Sequence, residues 1–260
     1  MSMDLFSLQG RDIWVFGGAG YLGSHTVELL YAAGASVLCV DLENRAEQLV
    51  ANKGWSDRVT PASLNVSDEG ALERFLQDQL NQRGSPSGLV VMTYKSTGKT
   101  LEDLTAAEFD DANHVGLTST FVIARTVGSR MAEEKRGSIV LFSSMYGTIS
   151  PDPATYESPM NPNPVEYGVG KAGIQQLSRY LSVHWGRSGV RCNSISPGPF
   201  PFPSMQEAHP DFIQRLASKT PLGRIGQAAE MAGPVTFLLS DASTYITGHN
   251  LAVDGGWTSW

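Results

Sequence analysis

"DIWVFGGAGYLGSHTVELLYAAG", residues 12–34, decides how the rest of the chain is read. Asp12 to Phe16 form a short apolar run of strand type. Residues 22–33 carry a helical pattern that Gly34 closes. Between them lies a glycine turn. Gly18, Gly20 and Gly23 fit the G-x-G-x-x-G spacing, and Gly17 precedes them. Glycines permit a tight turn and close approach of the backbone to a pyrophosphate, whose charge then sits at the positive end of the helix. The stretch therefore predicts a dinucleotide cradle, with Tyr21 and Leu22 inside the turn.

Working outward, apolar runs alternate with helical patterns. Strands are predicted at 12–16, 36–40, 59–64, 88–92, 138–143, 190–195 and 250–255. Helices are predicted at 22–33, 71–80, 105–112, 117–134, 166–186 and 228–240. Near-continuous apolar strands separated by helices imply a parallel sheet covered on both faces. Right-handed crossovers then give a doubly wound α/β fold of Rossmann type, with about seven strands. No repeat or linker marks a second domain, so residues 1–260 are read as one. Two proline-rich segments break the rhythm and are read as active-site loops: 145–165, and 199–220 as a lid.

Composition narrows the function classes. A formal net charge of −7 argues against nucleic acid or an anionic membrane as partner. No apolar run reaches membrane-spanning length, and the opening "MSMDLFSLQG" shows no secretory pattern. A cytoplasmic protein is expected. Cys39 and Cys192 lie in strand-like runs and read as buried thiols rather than a disulfide or metal pair. The five histidines show no ligand spacing, so no metal is expected.

Asp41 ends the second strand, 18 residues after Gly23, with Leu42 beside it. A carboxylate there accepts hydrogen bonds from adenosine ribose hydroxyls and repels a 2′-phosphate. Arg45 is four residues on, and no Lys or Arg is immediately adjacent. NAD is therefore expected rather than NADP. Asp41 also suits a helix cap. Asn65 and Val66 end the third strand and either face the adenine or only form a turn.

Ser143 and Ser144 end the fifth strand, where ligands bind in such sheets. In "PVEYGVGKAG", residues 164–173, Tyr167 and Lys171 stand one helical turn apart on a common face. Hydride transfer at a carbonyl carbon needs a proton moved at the oxygen. A free tyrosine has a pKa near 10, and a neighbouring ammonium is expected to lower it. Ser144 would hold the substrate oxygen, and Lys171 would also bond the nicotinamide ribose.

Taken with the glycine turn, these residues resemble the short-chain dehydrogenase/reductase family. "VRCNSISPGP" (190–199) resembles its strand and Pro-Gly turn behind the nicotinamide, which implies cofactor contacts at Pro197 and Gly198. "PLGRIGQAAEMAGPVTFLLSDASTYITGHNLAVDGGW" (221–257) resembles its C-terminal segment. The resemblance implies Tyr167 as catalytic acid/base, Lys171 as its activator, Ser144 as the substrate-orienting serine, and a structural Ser143. It implies an oxidoreductase on an alcohol or ketone, cytosolic and homo-oligomeric, usually a tetramer.

Four departures qualify it. Gly17, Gly20 and Gly23 match the spacing of the extended branch that acts on nucleotide sugars, and Tyr21 takes the place of a common glycine. "MTYKSTG" (92–98) replaces the usual Asn-Asn-Ala-Gly, bringing Thr93, Tyr94 and Lys95 close to the cofactor. The family's fourth catalytic residue, an asparagine, aligns with Gly116; Asn113, one turn earlier, is read as a helix-surface residue rather than a replacement. Ser144 and Tyr167 are 23 residues apart, longer than usual, and the insert suggests a carbohydrate-like substrate. Phe200, Phe202 and Met205 either line the substrate pocket or pack the lid. Two rival readings follow: a nucleotide-binding member with little catalysis, and a sugar epimerase or dehydratase.

Overall fold

The computed structural model describes residues 3–260; Met1 and Ser2, which begin the opening stretch read above, lie outside the described residues. Seven strands, β1 (Asp12–Phe16), β2 (Ser36–Asp41), β3 (Val59–Ser63), β4 (Gly88–Val91), β5 (Gly137–Phe142), β6 (Val190–Pro197) and β7 (Asn250–Val253), form one sheet. Their order is β3-β2-β1-β4-β5-β6-β7, and every pairing is parallel. The helices are α1 (Tyr21–Ala32), α2 (Arg45–Lys53), α3 (Glu69–Arg83), α4 (Ala106–Asn113), α5 (Ser119–Glu133), α6 (Val165–Trp185), α7 (Pro203–Ala208), α8 (Pro210–Ser218) and α9 (Ala232–Leu239).

Successive strand side chains point to opposite faces, so an apolar strand supplies two cores. Trp14 and Phe16 pack with α3, α5 and α6, whereas Ile13 and Val15 pack with residues of α1, α2 and α9. Cys39 and Cys192 are buried, unpaired, in opposite cores. Local chemistry fixes the helix ends. The Asp68 carboxylate accepts from Ala71 N–H at the start of α3, and Thr105 with Glu108 forms a capping box on α4. Gly34, at φ +93°, closes α1.

The register determines where the site lies. Phe16 stands beside Val40 and Val91, so Gly17, Asp41 and Met92 emerge together at the carboxyl ends of the strands. Phe142 stands beside Ile195, which brings Ser143 and Ser196 out together further along the same edge. The strand order reverses between β1 and β4, the position where such sheets open a crevice. α4 runs into α5 through a π-helical turn, His114–Thr118, and Ser119, the first residue of α5, donates through its Oγ back to His114 C=O.

Candidate active site

The crevice holds two adjoining cavities of about 200 and 160 Å³ above the glycine turn. Gly17, Gly20, Tyr21, Leu22 and Gly23 line the first. Asp41, Leu42, Asn65, Val66 and Thr93 line the second, with Gly17 and Gly20 shared. Gly17 has φ +82°, in the left-handed region that favours glycine. A Cβ on Gly23 would lie 2.1 Å from Gly17 O, so the turn closes only with glycine there. Gly18 lines neither cavity: it packs on the sheet, where a Cβ would meet Cys39 Sγ at 2.8 Å. The glycines that line the crevice are therefore Gly17, Gly20 and Gly23, the second spacing noted in the sequence.

Asp41 accepts from Ala19 N–H and Leu42 N–H, each at 2.8 Å, which aims the carboxylate at the turn. Arg45 Nη1 reaches it only at 3.8 Å and is itself largely exposed. Asn65 does both things left open by the sequence: it lines the second cavity and accepts from Ser67 in a turn. Thr93 Oγ1 is buried beside this cavity without a hydrogen-bond partner. A buried hydroxyl of this kind calls for a polar group from a ligand or water. The tight glycine cradle, the aimed carboxylate and the orphaned hydroxyl fit an adenosine dinucleotide.

Ser143, Ser144, Tyr167, Lys171, Pro197 and Gly198 complete the first cavity at its other end. Ser144 follows β5 in extended conformation, and its Oγ accepts from Tyr146 N–H at 3.1 Å. Tyr167 and Lys171 sit in the first two turns of α6, which starts just after Pro164. Lys171 Nζ donates to Phe142 C=O at 2.8 Å and lies 5.5 Å from the Tyr167 ring. Burial pushes the Lys171 ammonium down to about 8. Burial likewise pushes Tyr167 up to about 12, opposed by its hydrogen bond with Ser144 and reinforced by Tyr94. The sequence expectation of a lowered tyrosine pKa is thus corrected. Lys171 is turned to a carbonyl, and desolvation of the phenolate is the largest influence on Tyr167.

Gln175 and Glu166 were not singled out from sequence. Gln175 donates to Ser143 Oγ at 3.1 Å and to Thr148 Oγ1 at 3.0 Å, while Ser143 Oγ donates to Lys171 C=O at 2.8 Å. This network makes Ser143 structural. Gln175 stands one turn beyond Lys171, so helical spacing was the available signal. Glu166, buried beside Tyr167, accepts from Thr97 N–H and Oγ1 at 3.0 and 2.9 Å and ties loop 92–100 to α6. Asn113, read as a helix-surface residue, is half-buried. Its Nδ2 donates to Phe109 C=O, and its buried Oδ1 abuts Gly170 of α6 with no partner. Tyr94, in the altered segment, lies edge-on to Tyr167 with ring centres 6.0 Å apart.

A third cavity of about 440 Å³ opens beyond Ser144 and Tyr167. Residues of both proline-rich loops line it, including Asn161, Asn163, Phe200, Phe202 and Met205, which answers the question left open for the last three. Phe202 packs at a tilt against Tyr21, ring centres 5.0 Å apart, bridging the loop to the glycine turn.

Comparison with known proteins agrees with this geometry. A family model described as enoyl-(acyl carrier protein) reductase matches residues 18–258. An NADP-dependent mannitol dehydrogenase of Alternaria alternata is 33% identical over 262 residues, 98% of this chain and 94% of its own. The chain belongs to the short-chain dehydrogenase/reductase family. A galactitol 2-dehydrogenase of Rhizobium johnstonii is 32% identical, covering 98% of each chain. A short-chain dehydrogenase of Leptospira borgpetersenii solved with bound NAD+ superposes with a TM-score of 0.88 at 32% identity, covering 99% of this chain and 96% of that one. This chain is accordingly a nicotinamide-dependent oxidoreductase of alcohol and ketone groups.

Proposed function

We propose that the enzyme uses NAD to interconvert a secondary alcohol and a ketone on a carbohydrate-like substrate. The observation that carries this reading is the meeting of the Ser144 hydroxyl, the Tyr167 phenol and the Lys171 ammonium around one cavity beside the dinucleotide cleft. NAD, when bound, accepts or supplies the hydride. Ser144 hydrogen-bonds the substrate oxygen, and Tyr167 takes its proton on oxidation or returns it on reduction. Lys171 would favour the phenolate electrostatically and hold the nicotinamide ribose, and Pro197 and Gly198, which line the same cavity, would contact the nicotinamide. A phenol held near 12 is protonated at neutral pH, the form that can give a proton to a carbonyl oxygen, and would act as a base only where a nearby positive charge, such as that of an oxidised nicotinamide, offsets the desolvation.

The Asp41 carboxylate supports NAD over NADP, although the Alternaria relative is NADP-dependent. Mannitol and galactitol, named for the two relatives, support the carbohydrate-like class. The exposed Val165, Val169, Tyr180 and Val183 along α6 support a homo-oligomer, dimer or tetramer. A cytoplasmic location rests on the family resemblance, and no described helix is long and apolar enough to cross a membrane. The glycine spacing Gly17, Gly20, Gly23 favours one rival, a sugar epimerase, which returns its NAD unchanged. A steady-state assay with NADH or NADPH against a panel of ketoses and cyclic ketones tests the proposal. Net oxidation of NADH in preference to NADPH is expected; conversion of substrate with no net NADH change would make the epimerase the right reading.

A further inference from the structure

The cavity beyond Ser144 and Tyr167 is built unlike a seat for an acid or an open-chain polyol. No Asp, Glu, Lys, Arg or His lines it. Its wall is Met145, Tyr146, Tyr156, Met160, Phe212 and Leu216, which belong to or pack on a satellite apolar cluster joining the 145–165 loop to α8. Tyr156 and Phe212 lie with ring centres 5.4 Å apart. The polar groups along this wall are few and spend part of their hydrogen-bonding capacity on the protein itself. The Tyr146 and Tyr156 hydroxyls bond each other at 2.9 Å, Asn163 bonds Tyr146, and Asn161 Nδ2 donates to Gly98 C=O at 3.1 Å. The nearest charges also pair with one another: Arg215 with Glu157 at 2.8 Å, and Lys219 with Asp152 at 2.6 Å, which straps the loop to α8.

Physical chemistry then selects among alcohols. A carboxylate or phosphate buried on this wall would have no cation to meet it. An open-chain polyol bears a hydroxyl on every carbon and turns some of them to the rings unpaired. A ring keeps its hydroxyls at the rim and offers an apolar C–H face to an aromatic wall. We propose that the substrate is an uncharged ring, a cyclic sugar derivative or cyclitol oxidised or reduced at a ring carbon, with its C–H face on Tyr156 and Phe212. This rests on the alcohol–ketone reading above and narrows it.

The test separates binding from turnover. The enzyme–NADH complex is titrated with methyl α-glucopyranoside as a locked ring, mannitol as an open chain and gluconate as an acid, read by NADH fluorescence. The locked ring is expected to bind at least tenfold tighter than either competitor. Equal or tighter binding of mannitol or gluconate, or no binding of the ring, overturns the inference. A Met160→Arg variant, with NADH affinity as its folding control, is expected to bind gluconate at least tenfold tighter and the ring more weakly; unchanged gluconate affinity counts against this cavity as the seat. NADH production from NAD+ is followed in parallel with myo-inositol and the pyranoside. Tight ring binding with no turnover of any ring or chain supports the inference and removes the dehydrogenase reading instead.

Discussion

The dinucleotide end and the substrate end of this site are made of different material. At the first, the working parts are backbone: Gly17 at positive φ, Gly23 pressed on Gly17 O, and a single carboxylate, Asp41, held by two N–H groups. At the second, side chains from distant segments close the space: Tyr146 and Tyr156 from one loop, Phe200 and Phe202 from another, Phe212 from α8. Backbone geometry leaves no room for variation in side chain, so one end is built to take a fixed partner. The other end changes whenever a loop changes. Binding of cofactor and choice of substrate should therefore fail separately.

The sharpest break is Tyr167→Phe. Removing the proton donor should lower turnover by about 10³-fold, within the range of general acid–base catalysis. NADH affinity, measured by fluorescence titration, should stay within a factor of about three because the cradle is untouched. Turnover within tenfold of the parent would end Tyr167's catalytic role. Gly23→Ala attacks the other end. Its Cβ would sit 2.1 Å from a backbone oxygen, and overpacking of this kind costs about 1–3 kcal/mol. NADH binding should weaken by about 10–100-fold. A crystal structure or binding curve showing an unaltered cradle would mean the turn is looser than its geometry states.

Asp41→Asn should come next in size. The amide keeps an oxygen for Ala19 or Leu42 but removes the charge that repels a 2′-phosphate. A charged hydrogen bond contributes about 1.5–3 kcal/mol, so the NADH to NADPH affinity ratio should fall by about tenfold or more. An unchanged ratio would assign cofactor choice elsewhere, Arg45 first.

How much of this was legible in the sequence follows the same division. All seven strands and the longer helices could be read, because strands buried on both faces are nearly continuous apolar runs and α6 carries helical spacing for 21 residues. That Ser144, Tyr167, Lys171 and Asp41 come together around one crevice was legible because chemistry and spacing mark them. Gly18 was misjudged because a glycine spacing does not say which glycine faces the ligand and which faces the sheet. The Tyr167 pKa was misjudged in direction because burial, a property of the assembled site, is its largest influence and is not written in the spacing to Lys171. Asn113 was taken for a surface residue because nothing in its own helix marks the contact with Gly170 of α6 that buries its Oδ1. Tyr146, Tyr156 and Phe212 carry no motif; only folding brings them together.

The buried pair gives a pH test with a definite sign. The fold favours neutral Lys171, with a pKa near 8 against the ordinary 10.5. Between those values the unfolded chain binds more protons than the folded one, so stability rises with pH. From about pH 7 to about pH 9.5 the gain should be about 2 kcal/mol, a shift of a few degrees in Tm. Tyr167 acts in the opposite sense, its folded pKa lying above the ordinary 10, but only above about pH 10. Lys171→Met should flatten the rise below that point. A Tm difference between the two pH values that persists in this variant would place the titration on another group.

The smallest expected effect concerns Gly116, which stands where the family's fourth catalytic residue aligns. Only Tyr94 Cα, at 4.0 Å, approaches the place a Cβ would occupy, so the helix has room for a side chain. Its carbonyl accepts from Thr120 Oγ1 at 2.7 Å, a bond that a substitution leaves intact. Gly116→Asn replaces the least helix-favouring ordinary residue and should stabilise by a few tenths of a kcal/mol. If the crevice lacks only a polar support beside Lys171, kcat should also rise by about two- to fivefold with KM for NADH unchanged. A raised Tm with no change in kcat would show that Asn113, lodged against Gly170, and Tyr94, over Lys171, already hold the catalytic helix in its working position. A lowered Tm would instead mean that the π-helical turn depends on glycine, and the substrate end would then share the backbone constraint that distinguishes the dinucleotide end.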